Sequence, residues 1–222
     1  MDVSILEDIP FPKKIKTLIV QEDDKIIYSL IDSIIKNKKQ FYIVTSNINS
    51  NNNSFEKIFH KYNFKYPNKV LLLHGKLDIN QKIDVLEKFK KNQFSIIVST
   101  SIIEVGLDIK NANLMIIYDP ISFGLASLHQ LRGRIGRNGT KSFCLLVYNA
   151  INLKEKQKLE ILVNSNDGFY IANKDLEMRG PGEINGLKQS GLQDFNFVDF
   201  VNDFKIFEYA KKDAQLILKI RN

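Results

Sequence analysis

Short apolar runs alternate with amphipathic segments through the first two thirds of the chain. Runs such as VLLL at 70–73 and LMIIY at 114–118 are apolar at every position. This pattern is typical of parallel strands buried on both faces of a sheet, while apolar residues three and four positions apart indicate helices between the strands. It predicts strands at 17–20, 41–45, 70–73, 94–98, 114–118 and 143–147, and helices at 23–37, 55–62, 79–91 and 125–135.

The alternation of strands and helices also predicts how the chain is divided. Residues 13–150 are expected to form an α/β domain with a doubly wound parallel sheet, after a lead-in segment at 1–12. From residue 151 onward the pattern changes to helices joined by loops, one of them rich in glycine. Because this part adds no strand, residues 151–222 are predicted to be a C-terminal helical appendage, with helices at 153–164, 168–177 and 197–220.

Composition adds three expectations. The formal net charge is +7, but Lys, Ile and Asn are so abundant that part of this charge reflects compositional bias, and it is weak evidence for a nucleic-acid partner. No run of 18 apolar residues occurs and the acidic first residues do not resemble a signal peptide, so we expect no membrane partner. A single cysteine, Cys144, fits a reducing cytoplasm.

Arginine is rare and clustered in this lysine-rich chain. Three of its five arginines are Arg132, Arg134 and Arg137, in the segment LRGRIGRNG. On the predicted helix, Arg134 and Arg137 share a face and Gln130 lies one turn before Arg134, which would give a polydentate site for phosphate oxygens. The glycines between them would let another surface approach closely. The alternative is a solvated basic helix face.

Segments with candidate chemistry are expected at the carboxyl ends of the strands, where open α/β sheets bind ligands. We place three segments there: HGKLDINQK at 74–82, VSTSIIEVGLDI at 98–109 and LHQLRGRIGRNG at 128–139. For Thr100, in the second segment, the alternative is the ordinary preference of threonine for strand ends.

The second and third segments resemble known motifs. QLRGRIGR is similar to motif VI of the superfamily 2 helicases, and IVSTSIIEVGLDI is similar to motif V, so the chain resembles the second RecA-like domain of such a motor. The resemblance implies that Arg134 and Arg137 act as arginine fingers on ATP and that Gln130 helps to hold the phosphates. It also implies nucleotide contacts by Glu104, Gly106 and Asp108, and contacts to the DNA backbone by Thr45, Ser46, Ser99 and Thr100.

The appendage narrows the resemblance. SNDGFYIANKDLEMRGPGEINGLKQSG at 165–191 resembles the segment after motif VI in RecG-type helicases, including the TRG translocation motif. The Mfd-like translocases share that motif and are the nearest alternative. The resemblance implies roles in translocation for Arg132, Arg179, Glu183 and Gln189, whereas the residues alone would equally suit a flexible surface loop.

Two motifs of a complete motor do not occur in the sequence. It contains neither G-x-x-x-x-G-K-[ST] nor a D-E-x-H segment, so ATP and Mg²⁺ are expected to be held mainly by a first RecA-like domain, in cis or in trans. The first hypothesis is the C-terminal motor half of a helicase that acts on branched or duplex DNA in recombination and repair, inactive as an ATPase without that domain. The second is a non-catalytic remnant that binds DNA or a partner. No Cys/His spacing indicates a metal site, and His129 is interpreted as structural.

Overall fold

The computed structural model describes residues 15–46, 55–100, 111–137 and 139–179. These residues contain six strands, six α-helices and a short 3-10 helix at Pro120–Ser122. The strands are β1 (Ile15–Gln21), β2 (Gln40–Val44), β3 (Val70–Leu73), β4 (Ile96–Ser99), β5 (Ala112–Tyr118) and β6 (Ser142–Tyr148). The helices are α1 (Lys25–Lys36), α2 (Phe55–Lys65), α3 (Ile79–Lys90), α4 (Leu125–Arg132), α5 (Leu153–Asn164) and α6 (Gly168–Arg179).

The six strands form one sheet in the order β1-β6-β5-β2-β4-β3, and every neighbouring pair is parallel. Each parallel connection has to cross over from one end of the sheet to the other, and α1, α2, α3 and α4 supply four of these crossings. The connection from β4 to β5 runs through residues outside those described. The predicted doubly wound α/β fold is therefore confirmed. All six predicted strands are present, and no strand end differs from its predicted position by more than two residues.

Two apolar layers cover the two faces of the sheet. Alternate residues of each strand point to opposite faces, so in β2 Phe41 and Ile43 pack with α1 and α2, while Tyr42 and Val44 pack on the other side. The second layer contains Phe89 of α3 together with the buried residues of α4 and α5. Strands that are apolar throughout are what such two-sided burial requires.

Three of the helices begin at a residue whose side chain caps the first turn. The carboxylate of Asp24 accepts a hydrogen bond from the N–H of Ile26 and so caps α1. Asp78 and Asn152 form reciprocal capping boxes at the first turns of α3 and α5. Because these caps satisfy backbone N–H groups that have no partner within the helix, they fix the starts of the helices close to the predicted positions.

Two helices, α5 and α6, follow the last strand of the sheet among the residues described. Contacts divide the chain into two compact units between Ile171 and Ala172, within α6. Helix α5 belongs to the first unit, where Leu159 and Leu162 are fully buried in the layer that covers the sheet. The predicted bounds of the domains stay a prediction, and the predicted lead-in and the helix at 197–220 lie outside the described residues. Among the residues described, no helix has the length and apolar character needed to span a bilayer.

Candidate nucleotide and nucleic-acid sites

The four predicted DNA-contact residues meet at the carboxyl edge of the sheet. Strands β2 and β4 are neighbours, and the backbone N–H of Thr45 donates to the carbonyl of Ser99 at 3.1 Å. Ser46 and Thr100 follow these two residues, so two hydroxyl-bearing turns lie side by side. The parallel register, which aligns Val44 with Ser99, brings them together although they are far apart in sequence.

The hydroxyl groups at this edge are mostly turned into the protein. Thr45 and Ser99 have no exposed surface, and Ser46 and Thr100 are 8% and 7% exposed. The Ser99 hydroxyl has no hydrogen-bond partner among the described residues. Groups at strand ends can still bind a phosphate through backbone N–H donors, which is a common kind of contact to a nucleic-acid backbone.

Asp119 is a component of this edge that the sequence-based reasoning missed. It follows β5 directly, and its carboxylate accepts hydrogen bonds from the hydroxyls of Ser46, at 3.2 Å, and Ser122. Its φ of 49° lies in the left-handed region, which is uncommon for a residue other than glycine. A serine hydroxyl has a single proton, so Ser46 cannot donate to Asp119 and to a phosphate at the same time. The sequence signal that could have revealed Asp119 is the Asp-Pro pair at the end of a buried strand.

The segment at 128–139 leads to the opposite edge of the sheet, where the strands begin. Its predicted position at the carboxyl ends of the strands is therefore wrong. Helix α4 begins after β5, near the carboxyl edge, and has to return toward the start of β6 because β5 and β6 are parallel. The N–H of Gly136 donates to the carbonyl of Ala112, the first residue of β5, at 3.1 Å. With about 3.3 Å per residue, the seven residues of β6 separate the two edges by about 20 Å. The segment at 128–139 therefore ends at the opposite edge of the sheet from Thr45 and Ser99, and not at the carboxyl ends as predicted.

The prediction that Arg134 and Arg137 share a helix face with Gln130 is also wrong. Helix α4 ends at Arg132, so Arg134 and Arg137 lie in the connection to β6, which we call the arginine loop (residues 133–141). Arg134 belongs to a turn that continues α4, whereas Arg137 follows Gly136, whose φ of 71° breaks any helical path. Gln130 on α4 and Arg137 are exposed, and Arg134 is half-buried. The three side chains do not share a helix face.

Arg132 differs from its neighbours because it is only 2% exposed. Its Nη1 donates to the carbonyl of Leu162 at 2.5 Å and to the Thr17 hydroxyl at 3.3 Å, so the guanidinium joins α4 to α5 and β1. Burial lowers the pKa of Arg132 from its ordinary value. Its predicted role in translocation stays a prediction, and any such role would act through packing rather than contact with DNA.

His129 lies beside this buried guanidinium. Nη2 of Arg132 is 3.0 Å from Nδ1 of His129, and because arginine has only donors, Nδ1 is the acceptor and the proton of the neutral ring sits on Nε2. A Cβ at Gly168 would lie 3.2 Å from Nε2, so the start of α6 packs against the ring. These contacts agree with a structural role for His129.

Comparison with known proteins shows the family. Residues 23–139 match the family described as Helicase conserved C-terminal domain, and residues 165–222 match ATP-dependent DNA helicase RecG, domain 3, C-terminal. The chain belongs to the RecG group of helicases. It corresponds to the C-terminal part of these proteins, as its sequence motifs indicated.

Individual relatives and one solved structure agree. The chain is 39% identical over 223 residues to the ATP-dependent DNA helicase RecG of Bacillus subtilis (strain 168), and 36% identical over 228 residues to that of Staphylococcus epidermidis. These alignments cover 96% and 99% of the chain but 33% of each relative, so the chain spans about a third of their length. A structure of RecG bound to a three-way DNA junction matches with a TM-score of 0.71 and 37% identity, covering 91% of this chain and 27% of that one.

Several predicted site residues lie outside the residues described. They include the predicted nucleotide contacts, two of the predicted translocation residues, and the side chain of Arg179, namely Glu104, Gly106, Asp108, Glu183, Gln189 and Arg179. Within the described ranges, no group of three or more His, Cys, Asp or Glu side chains is placed to hold a metal ion. The predicted roles of the six residues outside the described ranges stay predictions.

Proposed function

We propose that the chain is the C-terminal motor half of an ATP-dependent DNA translocase that acts on branched or duplex DNA in recombination and repair. The observation that carries the proposal is the placement of two polar regions at opposite edges of one sheet. The hydroxyl-bearing turns after β2 and β4 lie at one edge, and the arginine loop leads to the other. A lobe of this kind can contact DNA and a nucleotide at once, which a coupled motor requires.

Arg134 and Arg137 are proposed to stabilise the charge that develops on the transferred phosphoryl group of ATP. Arg137 is exposed on a loop that is tied to β5 at Gly136, so a second domain can reach it without unfolding this one. Gln130, exposed on the preceding helix, would assist in holding the phosphates. Arginines in this role contribute about 10³–10⁵ to the rate in phosphoryl-transfer enzymes.

ATP and Mg²⁺ would be bound mainly by a P-loop domain, in cis or in trans. The sequence of this chain contains no Walker A motif, and Glu104, Gly106 and Asp108 are proposed to complete the nucleotide site from this side. The purified chain alone is expected to hydrolyse ATP negligibly. We place the assembled motor with the DNA in the cytoplasm.

DNA would be held by its backbone rather than read by its bases. Thr45, Ser46, Ser99 and Thr100 are proposed to contact phosphates through their hydroxyls after local rearrangement, since the backbone N–H of Thr45 already donates to the carbonyl of Ser99. Binding should weaken with salt at about −0.9 in log–log slope for each phosphate neutralised. Arg132, Arg179, Glu183 and Gln189 are proposed to couple domain closure to a step along the duplex, a role equally compatible with an Mfd-like translocase.

The test of the proposal is a mixing experiment. The chain is combined with a P-loop domain of a RecG-type helicase, and ATP hydrolysis is measured with and without junction DNA. DNA-stimulated hydrolysis that needs both parts supports the motor. No hydrolysis from the mixture, together with intact DNA binding by the chain, supports the alternative of a non-catalytic DNA- or partner-binding remnant. DNA-stimulated hydrolysis by the chain alone contradicts the proposed division of labour.

A further inference from the structure

The arginine loop is held at two points by consecutive residues of β5. The carbonyl of Ala112 accepts the N–H of Gly136 at 3.1 Å, just before Arg137. The side-chain amide of Asn113 donates to the hydroxyl of Thr140, three residues after Arg137. A short segment fixed at both ends has few conformations left, so these two contacts restrict where Arg137 can lie.

Asn113 is well suited to this task because it is 3% exposed and both of its N–H groups are used. One binds Thr140, and the other binds the hydroxyl of Ser142 at 3.1 Å. Ser142 in turn donates to the carbonyl of Thr140 at 3.2 Å, which closes a small network around the end of the loop. The network also lies against Gly136, where a Cβ would come within 3.1 Å of the Ser142 hydroxyl.

The side-chain oxygen of Asn113 is unusual for a buried polar atom. This Oδ1 is buried and has no hydrogen-bond partner among the residues described. An unsatisfied buried acceptor costs about 1–3 kcal/mol, a cost that an apolar residue at this strand position would avoid. Asn113 therefore places an amide in the core at a cost in stability, and both N–H groups of this amide donate to residues at the end of the arginine loop, Thr140 and Ser142.

We propose that Asn113 is a positioning residue that holds the arginine loop in the conformation from which Arg137 reaches the nucleotide. The contact to the loop stands on this structure alone, while its effect on catalysis rests on the proposed function. Asn113 acts through Thr140 and the loop backbone and touches neither substrate.

The first experiment measures the loop itself. Amide hydrogen exchange of Gly136 and Gly139 is compared in the full chain and in the variants Asn113→Ala and Thr140→Val. Thr140 is exposed, so its substitution removes one contact with little risk to folding. Loss of one or two hydrogen bonds should raise exchange at both glycines by about 5- to 20-fold while amides in the middle of β5 stay unchanged.

Asn111→Ala is the matched control. Asn111 lies two residues before Asn113 at the same edge, but its side chain binds Lys39 and the carbonyl of Lys38 instead of the arginine loop. It should leave exchange at Gly136 and Gly139 unchanged. Unchanged exchange in both Asn113→Ala and Thr140→Val would overturn the proposal, and so would an equal rise in Asn111→Ala.

The second experiment measures catalysis in the mixture with the P-loop domain. Asn113→Ala should lower kcat by about 5- to 20-fold, as expected for the loss of one or two hydrogen bonds, and leave KM for ATP and the affinity for DNA nearly unchanged. In an Arg137→Ala background it should have no further effect, because the residue acts through Arg137. An undiminished effect in that background contradicts the positioning role. If the unsubstituted mixture shows no hydrolysis, the proposed function fails while the exchange result still decides whether the contact holds the loop.

Discussion

Substitution of Gly136 by alanine distinguishes the loop seen in the structure from the helix that the sequence predicts. If the predicted helix at 125–135 extended to residue 137, as a shared helix face of Arg134 and Arg137 requires, Gly136→Ala would stabilise the protein by about 1 kcal/mol through helix propensity. The structure predicts the opposite sign. Gly136 has a φ of 71°, a conformation that costs an L-residue about 1–2 kcal/mol.

Crowding adds to the conformational cost at this position. A Cβ at Gly136 would lie 3.1 Å from the Ser142 hydroxyl and 3.3 Å from Cγ1 of Ile15. The hydroxyl of Ser142 is held by Asn113 and does not move freely, so relief of such overpacking costs about 1 kcal/mol or more. Gly136→Ala should therefore destabilise the protein by about 2–3 kcal/mol in total.

Gly139 is the matched control, because its φ of 72° is nearly the same and no described residue other than its chain neighbours has an atom within 4 Å of its Cβ position. Gly139→Ala should cost only the conformational part, about 1–2 kcal/mol. Both free energies of unfolding can be measured by urea denaturation, with unchanged m-values as a check that the two states are the same. Stabilisation by Gly136→Ala would contradict the positive φ of Gly136, and equal losses at the two glycines would contradict the crowding by Ser142 and Ile15.

Three further predictions concern the stability of the domain. Arg132→Met should lower the free energy of unfolding by about 2–4 kcal/mol in urea denaturation, because it leaves buried acceptors without their donor, whereas the exposed Arg137→Met should change it by less than about 0.5 kcal/mol. Burial raises the pKa of the Cys144 thiol to about 12, so the unfolded chain loses this proton first as the pH rises. Stability measured between pH 9 and 10 should therefore fall by up to about 1.4 kcal/mol per pH unit, and a Cys144→Ala variant with the same slope would contradict this account. Lys38 is exposed with a φ of 52°, so Lys38→Gly should raise the melting temperature by relieving about 1 kcal/mol of backbone strain, while Lys36→Gly at the end of α1 should lower it.

The sheet and most helices could be predicted because their signals are local. The apolar run at 70–73 and the capping residues Asp78 and Asn152 each determine an element within a few neighbouring positions. The parallel arrangement follows from such runs joined by helices, and it places the strand-end turns together. Thus the sequence predicts the fold class and the position of Thr45 and Ser99 at strand ends, whereas their contact depends on β2 lying beside β4, which only the structure shows.

The arginine loop could not be predicted in this way. Arg134 and Ile135 fit the helical period of α4, so periodicity alone does not show that the helix ends at Arg132. What ends it is Gly136, whose positive φ is maintained by a hydrogen bond to Ala112 and by the closeness of Ser142. These partners lie on other strands, so only the tertiary structure shows them. The two glycines near the end of the predicted helix are the sequence feature that could have indicated where the helix ends.

The burial of Arg132 could not be predicted from the sequence for a similar reason. Arginine is rarely buried unless it is paired, and Arg132 shares its segment with an exposed arginine, Arg137. Two of its three side-chain contacts are to a hydroxyl on β1 and a main-chain carbonyl on α5, both distant in sequence from α4. A carbonyl partner leaves no mark in the amino-acid sequence, so this arginine could not be told apart from its neighbours.

The most direct test of the central claim is the rate of ATP hydrolysis by the chain mixed with a P-loop domain at saturating junction DNA, with and without Arg137→Ala. Lys141→Ala, which removes an exposed positive charge from the same loop, is the matched control. The account predicts a loss of about 10³-fold or more for Arg137→Ala and little change for Lys141→Ala. Equal activity of the Arg137→Ala mixture and the unsubstituted mixture would contradict it.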